Sequence, residues 1–506
     1  MTPNQSKELG LDPKVTLDAV FRRNVLIRPG ALALADPSDR AIFSGGVPRR
    51  LNYAEADVAI TKLARQLKSL GLPDQAIVAI QLPNTVEAIL TILAVLRAGL
   101  IAVPIPMLWR RSDLVTALRE ISARAIVTMT HLGDNRHAEI ACEAAAELFT
   151  LGFPCAFGVD LPDGVIQLDL DAHAPFGERD LIPPAHLQSA DTVAIATFDA
   201  APQGPFAVGR THSQWLAAGL AVLLEARIAS GDTIVSTLSI ASLTGLAGAF
   251  VPWLLSGGTL QLVHGFSPQA IRLVPAGAHL VAPAAALNSL ANTESEGFAS
   301  VVAVHRGPES LGLDLSQLKC DAIADLQVFG EIGLTALSRI AKVMPSPIPL
   351  GAISAPIESP DAPIVVETKR LADGTLALRG SMVPDRLFPA SARANTTQLE
   401  FDVDGFVRTN LRCHAVGSSG LVIESAPDGI VTIGGLRYGL DDLTARIASV
   451  SPDAKISFVR NTVLGTRLTI KSSNPSAVTK ALDEAGLSSL IIEGVKERPA
   501  ARRAAS

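Results

Sequence analysis

Lysine is missing from nearly half of this chain: of 11 lysines, none falls between Lys68 and Lys319. Charge of either sign is scarce, with Asp, Glu, Lys and Arg making up 18% of 506 residues, against about 25% in an average soluble protein. The 48% hydrophobic content supplies enough apolar surface to offset the entropy of ordering, which excludes a disordered or tail-like chain. A net charge of -6 and a pI near 5.9 give no electrostatic footprint for nucleic acid. The four cysteines (Cys142, Cys155, Cys320, Cys413) form no C-x-x-C and no Cys/His ligand spacing. A disulfide framework and a zinc site are therefore excluded, and a reducing, cytoplasmic setting is expected. The first residues, MTPNQSKELGLDPK, lack the apolar core of a secretory signal.

Mean hydropathy is +0.33, and the longest uncharged run, Thr233 to Val263, is long enough to span a bilayer. It is interrupted by Gly245, Gly248, Pro252 and the Gly257-Gly258 pair, and it is dotted with Ser and Thr. A buried strand, turn, helix and strand is the better reading, so no membrane span is expected.

What is present is a rhythm of apolar strand, turn and amphipathic helix. Ala54–Leu70 has helical spacing and stops at Gly71; Thr85–Ala98 does the same before Gly99. Ala76–Leu82, Leu100–Ile105, Ala125–Met129 and Thr192–Thr197 read as buried strands. This alternation predicts an α/β fold with helix-flanked parallel sheets. From about Pro345 the texture becomes β-rich, with short strands such as Pro363–Thr368 and Thr375–Arg379 and Asp-Gly turns at 373–374, 404–405 and 428–429. The expected organisation is a large part, 1–427, with subdomains at about 1–190, 191–344 and 345–427. A small α+β part, 428–506, follows and ends in an alanine-rich tail. No repeat period is visible.

The order of segments resembles the class I adenylate-forming superfamily of acyl-CoA synthetases, nonribosomal peptide adenylation domains and luciferases. LNYAEADVAITKLARQLKSLGL and VAIQLPNTVEAILTILAVLRAGLIAVPI are similar to the family's opening βαβ units, and STLSIASLTGLAGAFVPWLLSGGTLQLV to one wall of its acid pocket. HLVAPAAALNSL, QVFGEIG, GTLALRGSMV, DGFVRTNL and GGLRYGLDDL follow at about the family's spacing. The resemblance implies two helix-flanked sheets, a β-rich subdomain and a small C-terminal lid. It also implies acyl-adenylate formation from a carboxylic acid and Mg-ATP, usually followed by transfer to a thiol.

Against that pattern the chemical motifs are altered. The phosphate loop, T-S-G-T-T-G-x-P-K-G in the family, corresponds to FDAAPQGPFAVGRTHSQW, anchored by Thr211-His212. Only Gly204 is available to turn backbone N–H groups onto a phosphate, and Pro205 lacks a donor. Asp199 places a negative charge among the phosphates, and Pro205 or Phe206 stands in the lysine position. Arg210 is the nearest cation, and the local expectation is an ordinary strand-to-helix loop. In the family's Y-G-x-T-E, Phe329 and Gly330 match the first pair, but Ile332 and Gly333 replace the threonine and the metal-binding glutamate. Glu331, one position early, is either a displaced metal ligand or a solvated or helix-capping residue. The ribose-binding aspartate of R-T-G-D-L is Asn410, after Arg408 and Thr409. In the hinge G-R-x-x-D, Ser425 replaces the arginine and Asp428 is kept, as a hinge or simply as a turn residue. The lid's catalytic lysine has no counterpart: Lys496 is misplaced, and Arg502 and Arg503 are tail charges. Ser242 replaces the acid-pocket histidine. Ser242, Thr244, Gly307, Phe329, Gly330 and Glu331 are the candidate pocket residues.

No intact catalytic residue and no metal site are expected, and no cofactor, unless an unusual site still takes ATP and magnesium. Three readings follow: a catalytically degenerate scaffold that keeps an acyl or aryl pocket; an active acid–thiol ligase with an unusual nucleotide site; or a non-catalytic interaction subunit whose pocket is collapsed, with Phe198 or Phe206 filling it. The partners implied are a hydrophobic carboxylic acid or acyl derivative, or an active homologue or other protein.

Overall fold

A computed structural model describes residues 15–495 apart from segments 171–188, 266–270, 272–273, 288–289, 291–296, 308–313, 340–344, 358–361, 390–398 and 462–464. Lys496, Arg502, Arg503 and the alanine-rich tail lie outside the described residues.

Strands β1 (Leu32–Ala35) and β2 (Arg50–Asn52) come first but join a sheet completed much later. Sheet I is built from β3 (Ile77–Ile80), β4 (Ile101–Pro104), β5 (Ala125–Met129), β6 (Phe153–Phe157), β7 (Ile166–Leu168), β8 (Val193–Ala201) and β9 (Gly204–Thr211). Its order is β7-β6-β5-β3-β4-β8-β9, parallel except for β9. Sheet II is built from β10 (Thr233–Ser236), β11 (Thr259–Leu262), β12 (His279–Pro283), β13 (Phe298–His305), β14 (Cys320–Phe329) and β15 (Gly333–Ser338), together with β1 and β2. Its order is β15-β14-β13-β12-β10-β11-β1-β2, parallel except at the two edges. The two sheets are wound alike. In each, the chain steps from the first strand to one neighbour, crosses back to the other side, and continues outward.

The strands read as continuous apolar runs because helices cover both faces, as expected for parallel sheets. Every residue of helix Val86–Arg97 is buried, Arg97 included. That charge is tolerated because its guanidinium meets Asp18 at 2.8 Å, Asp57 at 2.8 Å and Thr61 Oγ1 at 2.7 Å; leaving such a charge unpaired costs about 3–5 kcal/mol. Helix starts follow local sequence. Asn52 and Glu55 form a capping box for helix Tyr53–Ser69, and Thr211 and Gln214 form one for His212–Glu225. The uncharged run Thr233–Val263 folds as β10, a single helical turn at Leu243–Gly245, a π-helical turn at Leu246–Phe250, helix Val251–Ser256 and β11. No helix of the described residues is long and apolar enough to cross a membrane.

The β-rich region is a six-stranded antiparallel sheet of β16 (Ile348–Pro349), β17 (Gly351–Ser354), β18 (Ile364–Arg370), β19 (Thr375–Arg379), β20 (Val407–Val416) and β21 (Gly420–Ser425). After Asp428 come two hairpins, β22 (Ile430–Ile433) with β23 (Leu436–Gly439) and β24 (Lys455–Asn461) with β25 (Gly465–Lys471). Helices Leu440–Val450, Pro475–Glu484 and Ser489–Ile492 complete this segment. It has its own apolar cluster around Leu443, Ile447, Leu468, Leu482 and Ile491. Gly434 and Gly435, at φ +59° and +82°, make the two-residue turn between β22 and β23.

Candidate functional site

The phosphate-loop counterpart is not the expected strand-to-helix loop. β8 runs on to Ala201, turns through Pro202-Gln203, and returns as β9, with pairing unbroken from Phe198↔Ala207 to Ala201↔Gly204. Backbone N–H groups that a phosphate loop would turn outward are instead committed to a hairpin ladder. Helix His212–Glu225 then begins directly at the end of β9.

Within the hairpin, Asp199 is 4% exposed, and its carboxylate is fully engaged. It accepts N–H bonds from Ala200 at 2.7 Å and Glu331 at 2.8 Å, and Arg437 Nη1 lies 2.6 and 2.8 Å from its two oxygens. Two backbone donors and a guanidinium make an anion-binding arrangement, and the protein's own aspartate occupies it. Gly330, at φ +62°, is required for this approach: a Cβ there would lie 2.1 Å from Arg437 Nη1 and 2.2 Å from Asp199 Oδ2.

A second cation enters from the end of β13. Arg306 donates to Gly435 O at 2.5 Å, to Ser242 Oγ at 3.0 Å and to Thr244 Oγ1. Ser242 also caps the helical turn at Leu243. Glu331 Oε2 accepts the Leu243 N–H at 2.6 Å, the helix-capping role among the alternatives. Burial, then Asp199, push the Glu331 carboxyl up to about 7, and Arg306 opposes the shift. A carboxyl titrating near neutrality in a cleft is a frequent mark of catalysis. Here it lies beside Asp199 and Arg306 and accepts the Leu243 N–H.

The space left beside Ser242, Gly330 and Glu331 measures about 50 Å³. Trp109 and Phe198, tilted together at 5.4 Å between ring centroids, form another wall. Phe329 does not line this cleft. It points the other way along β14, 1% exposed in the main core, and Val328 faces the cleft instead. Thr244 is fully buried beneath Arg306, and Gly307 follows that arginine.

The remaining candidates spread over other surfaces. Phe206, Ile332, Asn410 and Asp428 border a hollow of about 320 Å³ between the hairpin and the antiparallel sheet, and Asp199 and Arg437 line it as well. Asn410 is exposed and left-handed at φ +59°. Asp428 pairs with Arg412 at 2.8 Å in the turn ahead of β22. Gly204 and Pro205 edge a cavity of about 20 Å³ under Asp442 and Arg446. Gly333 starts β15, where a Cβ would meet Leu378 at 2.7 Å, and Ser425 ends β21 opposite Arg412. Arg210 is buried under the site, its Nε and Nη2 bonded to backbone carbonyls and its Nη1 without a hydrogen-bond partner. It donates to the carbonyls of Glu331 at 2.5 Å, Ile332 at 2.8 Å and Met382 at 3.2 Å, and burial lowers its pKa to about 10. The histidines are structural as well. His212 accepts the Leu17 N–H and is held neutral, with a pKa of about 3; His279 bonds Ser300 and Asp232, and His305 bonds Asp325.

Sequence reasoning missed Arg306 and Arg437. Loss of the lysines was legible, but arginines arrive from 107 and 238 residues away from Asp199. The available signal was an arginine two residues after Gly434-Gly435, at the start of the strand that leaves the hairpin turn. The residues do not fit a magnesium–triphosphate: the loop is a hairpin, the anion nest is filled, and Ile332 stands in the metal-ligand motif. Among the described residues no three His, Cys, Asp or Glu side chains group as metal ligands.

Residues 23–175 match the family model described as AMP-binding enzyme. The apo structure of MbtA from Mycobacterium smegmatis superposes with a TM-score of 0.64 at 19% identity, covering 94% of this chain and 90% of that one. The chain has the adenylate-forming fold. Medium-chain fatty-acid–CoA ligase of Escherichia coli is 26% identical over 221 residues, 43% of this chain and 38% of the relative. Beauvericin nonribosomal cyclodepsipeptide synthetase of Gibberella fujikuroi is 30% identical over 110 residues, 22% of this chain and 3% of the relative. The chain thus spans less than two fifths of these curated relatives. On the adenylate-forming fold, Asp199, Gly330, Glu331, Arg306 and Arg437 lie together at the carboxyl edge of sheet II.

Proposed function

We propose that this chain is a ligase-like scaffold that no longer adenylates an acid, and that its cleft is held shut by its own ion pairs. The observation that carries this reading is Asp199, whose carboxylate fills an anion nest closed by Arg437. Losing one preorganised donor to a developing charge costs about 10²–10³ in rate, and here the nest itself is taken. With about 50 Å³ beside Ser242, against roughly 300–1,000 Å³ for small-molecule pockets, an acyl or aryl acid has no room there. The collapsed-pocket reading is therefore favoured over a retained acid pocket, and the chain acts through binding, with an active homologue or another protein as partner. The division at 428 and the hinge role of Asp428 belong to the same proposal.

The hollow beside Arg408, Asn410 and Asp428, at about 320 Å³, favours a second reading in which a nucleotide still binds and an acid–thiol ligase survives. Titration of the full chain with Mg-ATP, followed by thermal shift and pyrophosphate release, separates the two. No stabilisation at millimolar Mg-ATP and no acid-dependent pyrophosphate are expected. Saturable stabilisation together with pyrophosphate from any short, long or aromatic acid would overturn the degenerate reading.

A further inference from the structure

A wider crevice lies elsewhere, at the carboxyl edge of sheet I. Its volume is about 700 Å³, within the roughly 300–1,000 Å³ that suits a small organic ligand. In sheet I the chain passes from β3 to β4 and then returns to β5 on the far side of β3. The loops after β3 and β5 therefore diverge, and ligands of open α/β sheets bind in the crevice so formed. Leu82, Pro83 and Thr85 after β3, Met129 at the end of β5 with Thr130 beyond it, and Phe157 at the end of β6 line it.

The walls are pinned. Thr130 Oγ1 lies within bonding distance of the Phe157 and Val159 carbonyls, at 3.2 and 3.3 Å, tying the loop after β5 to the loop after β6. Gly133 N–H bonds Phe43 O at 3.0 Å, and Phe43 stacks on His264 at 4.0 Å, which fixes the short helix Arg40–Ser44 that forms the opposite wall.

Charge defines what would fit. Both arginines of the lining are matched: Arg40 by Asp36 and by Glu87 at 2.7 Å, and Arg136 by Glu139 at 2.7 Å. The carboxylates are in excess. Glu87 spends Oε1 on Arg40 and Arg49, while its Oε2, on a side chain 7% exposed, has no hydrogen-bond partner. Asp134 and Asp160 line the same crevice, exposed and without an ion-pair partner among the described residues. An anion would meet surplus negative charge and, His131 apart, no cation that is not already paired. A ligand carrying N–H donors and positive charge would satisfy Glu87 and the two aspartates, while an apolar body lies on Leu82, Met129 and Phe157.

We propose that this crevice is a binding site for an organic cation, a primary amine or guanidine on an apolar body. It does not depend on the state of the Asp199 cleft. Calorimetric titration of the full chain with phenethylamine tests it, with phenethyl alcohol and phenylpropionate as matched neutral and anionic probes. Saturable amine binding is expected, about tenfold or more tighter than either control, a gap of about 1.4 kcal/mol. Replacing both exposed aspartates (Asp134→Asn with Asp160→Asn) should weaken it severalfold without altering the fold, Glu87→Gln should weaken it further, and Ser44→Trp should block the mouth. An amine that fails to saturate by 10 mM (~2.7 kcal/mol of binding), binds no better than the alcohol, or ignores both the aspartate pair and Ser44→Trp overturns the proposal. The aspartate pair keeps the test valid even if Glu87→Gln unfolds. Retention of amine binding in Asp199→Ala separates this site from the cleft of sheet II.

Discussion

Sheets I and II follow one winding scheme, yet their carboxyl edges have opposite contents. At sheet II the loops after β10, β13 and β14 converge on Asp199, Glu331, Arg306 and Arg437, leaving about 50 Å³. At sheet I the loops after β3, β5 and β6 stand around about 700 Å³. The difference does not lie in the strands, which are equally apolar. It lies in what the loops carry and in what docks on them: two arginines with matched carboxylates at one edge, and carboxylates in excess at the other. A shared topology offers a crevice, and side chains decide whether it stays one.

That contrast can be broken most strongly at Asp199. Asp199→Ala strands Arg437 and the Glu331 N–H in a desolvated cleft, a loss expected at about 3–5 kcal/mol, read by urea denaturation. Removing both partners together with Arg437→Leu should recover part of it.

The next test applies one substitution to both edges. Gly330→Ala and Gly45→Ala each place a methyl on a left-handed residue, at φ +62° and +67°. At Gly45 the nearest atom is His131 Nε2 at 3.8 Å, so only the backbone conformation is penalised, by about 1–2 kcal/mol. At Gly330 the methyl collides with Arg437 and Asp199, and overpacking adds about 1–3 kcal/mol. Equal melting temperatures for the two variants would show that the Asp199–Arg437 pair does not fill the cleft of sheet II.

Smaller still is a pH effect. Glu331 holds its proton up to about 7 in the folded chain, against 4.5 for the ordinary carboxyl. The folded state therefore binds more protons than the unfolded state across that window, and stability falls as pH rises from about 4.5 to about 7. The Glu331 contribution is about 1–3 kcal/mol at most, and Glu331→Gln should flatten that part of the profile. Asp113, pushed up to about 6 by burial, with Arg446 opposing and Asp442 adding to the shift, adds a slope of the same sign at lower pH. The least effect is expected at the open edge, where Asp160→Asn, exposed and unpaired, should shift stability by no more than about 0.5 kcal/mol.

Much of the architecture was legible in the sequence because it is local. The helix ends at Gly71 and Gly99 fall where read, both glycines being left-handed at +68° and +74°. β5 and β19 match residue for residue, and the Asp-Gly turns place Gly374, Gly405 and Gly429 at φ +83°, +79° and +74°. The shared winding of the two sheets left no trace, because apolar strands carry no mark of their order. The hairpin at Ala201 was misread as a loop since FDAAPQGPF has no alternating pattern, and its length is set by β-pairing to a partner strand. At the site, the absence of lysine was legible; the arginines that meet Asp199 and Ser242 were not. Arg306 and Arg437 reach Asp199 and Ser242 through tertiary contacts, and no spacing rule joins residues so far apart. The crevice of sheet I went unread because its lining comes from four separated loops.

The clasp of the C-terminal segment has a consequence for how the chain is made. Gly439 packs so closely on the hairpin turn that a Cβ would lie 2.1 Å from Ala201 O, and Asp442 N–H bonds Pro202 O at 3.1 Å. Arg437, held by that clasp, neutralises an aspartate synthesised 238 residues earlier. A nascent chain halted before residue 430 would leave Asp199 to the Ala200 and Glu331 N–H groups, without the guanidinium that pairs with it in the full chain.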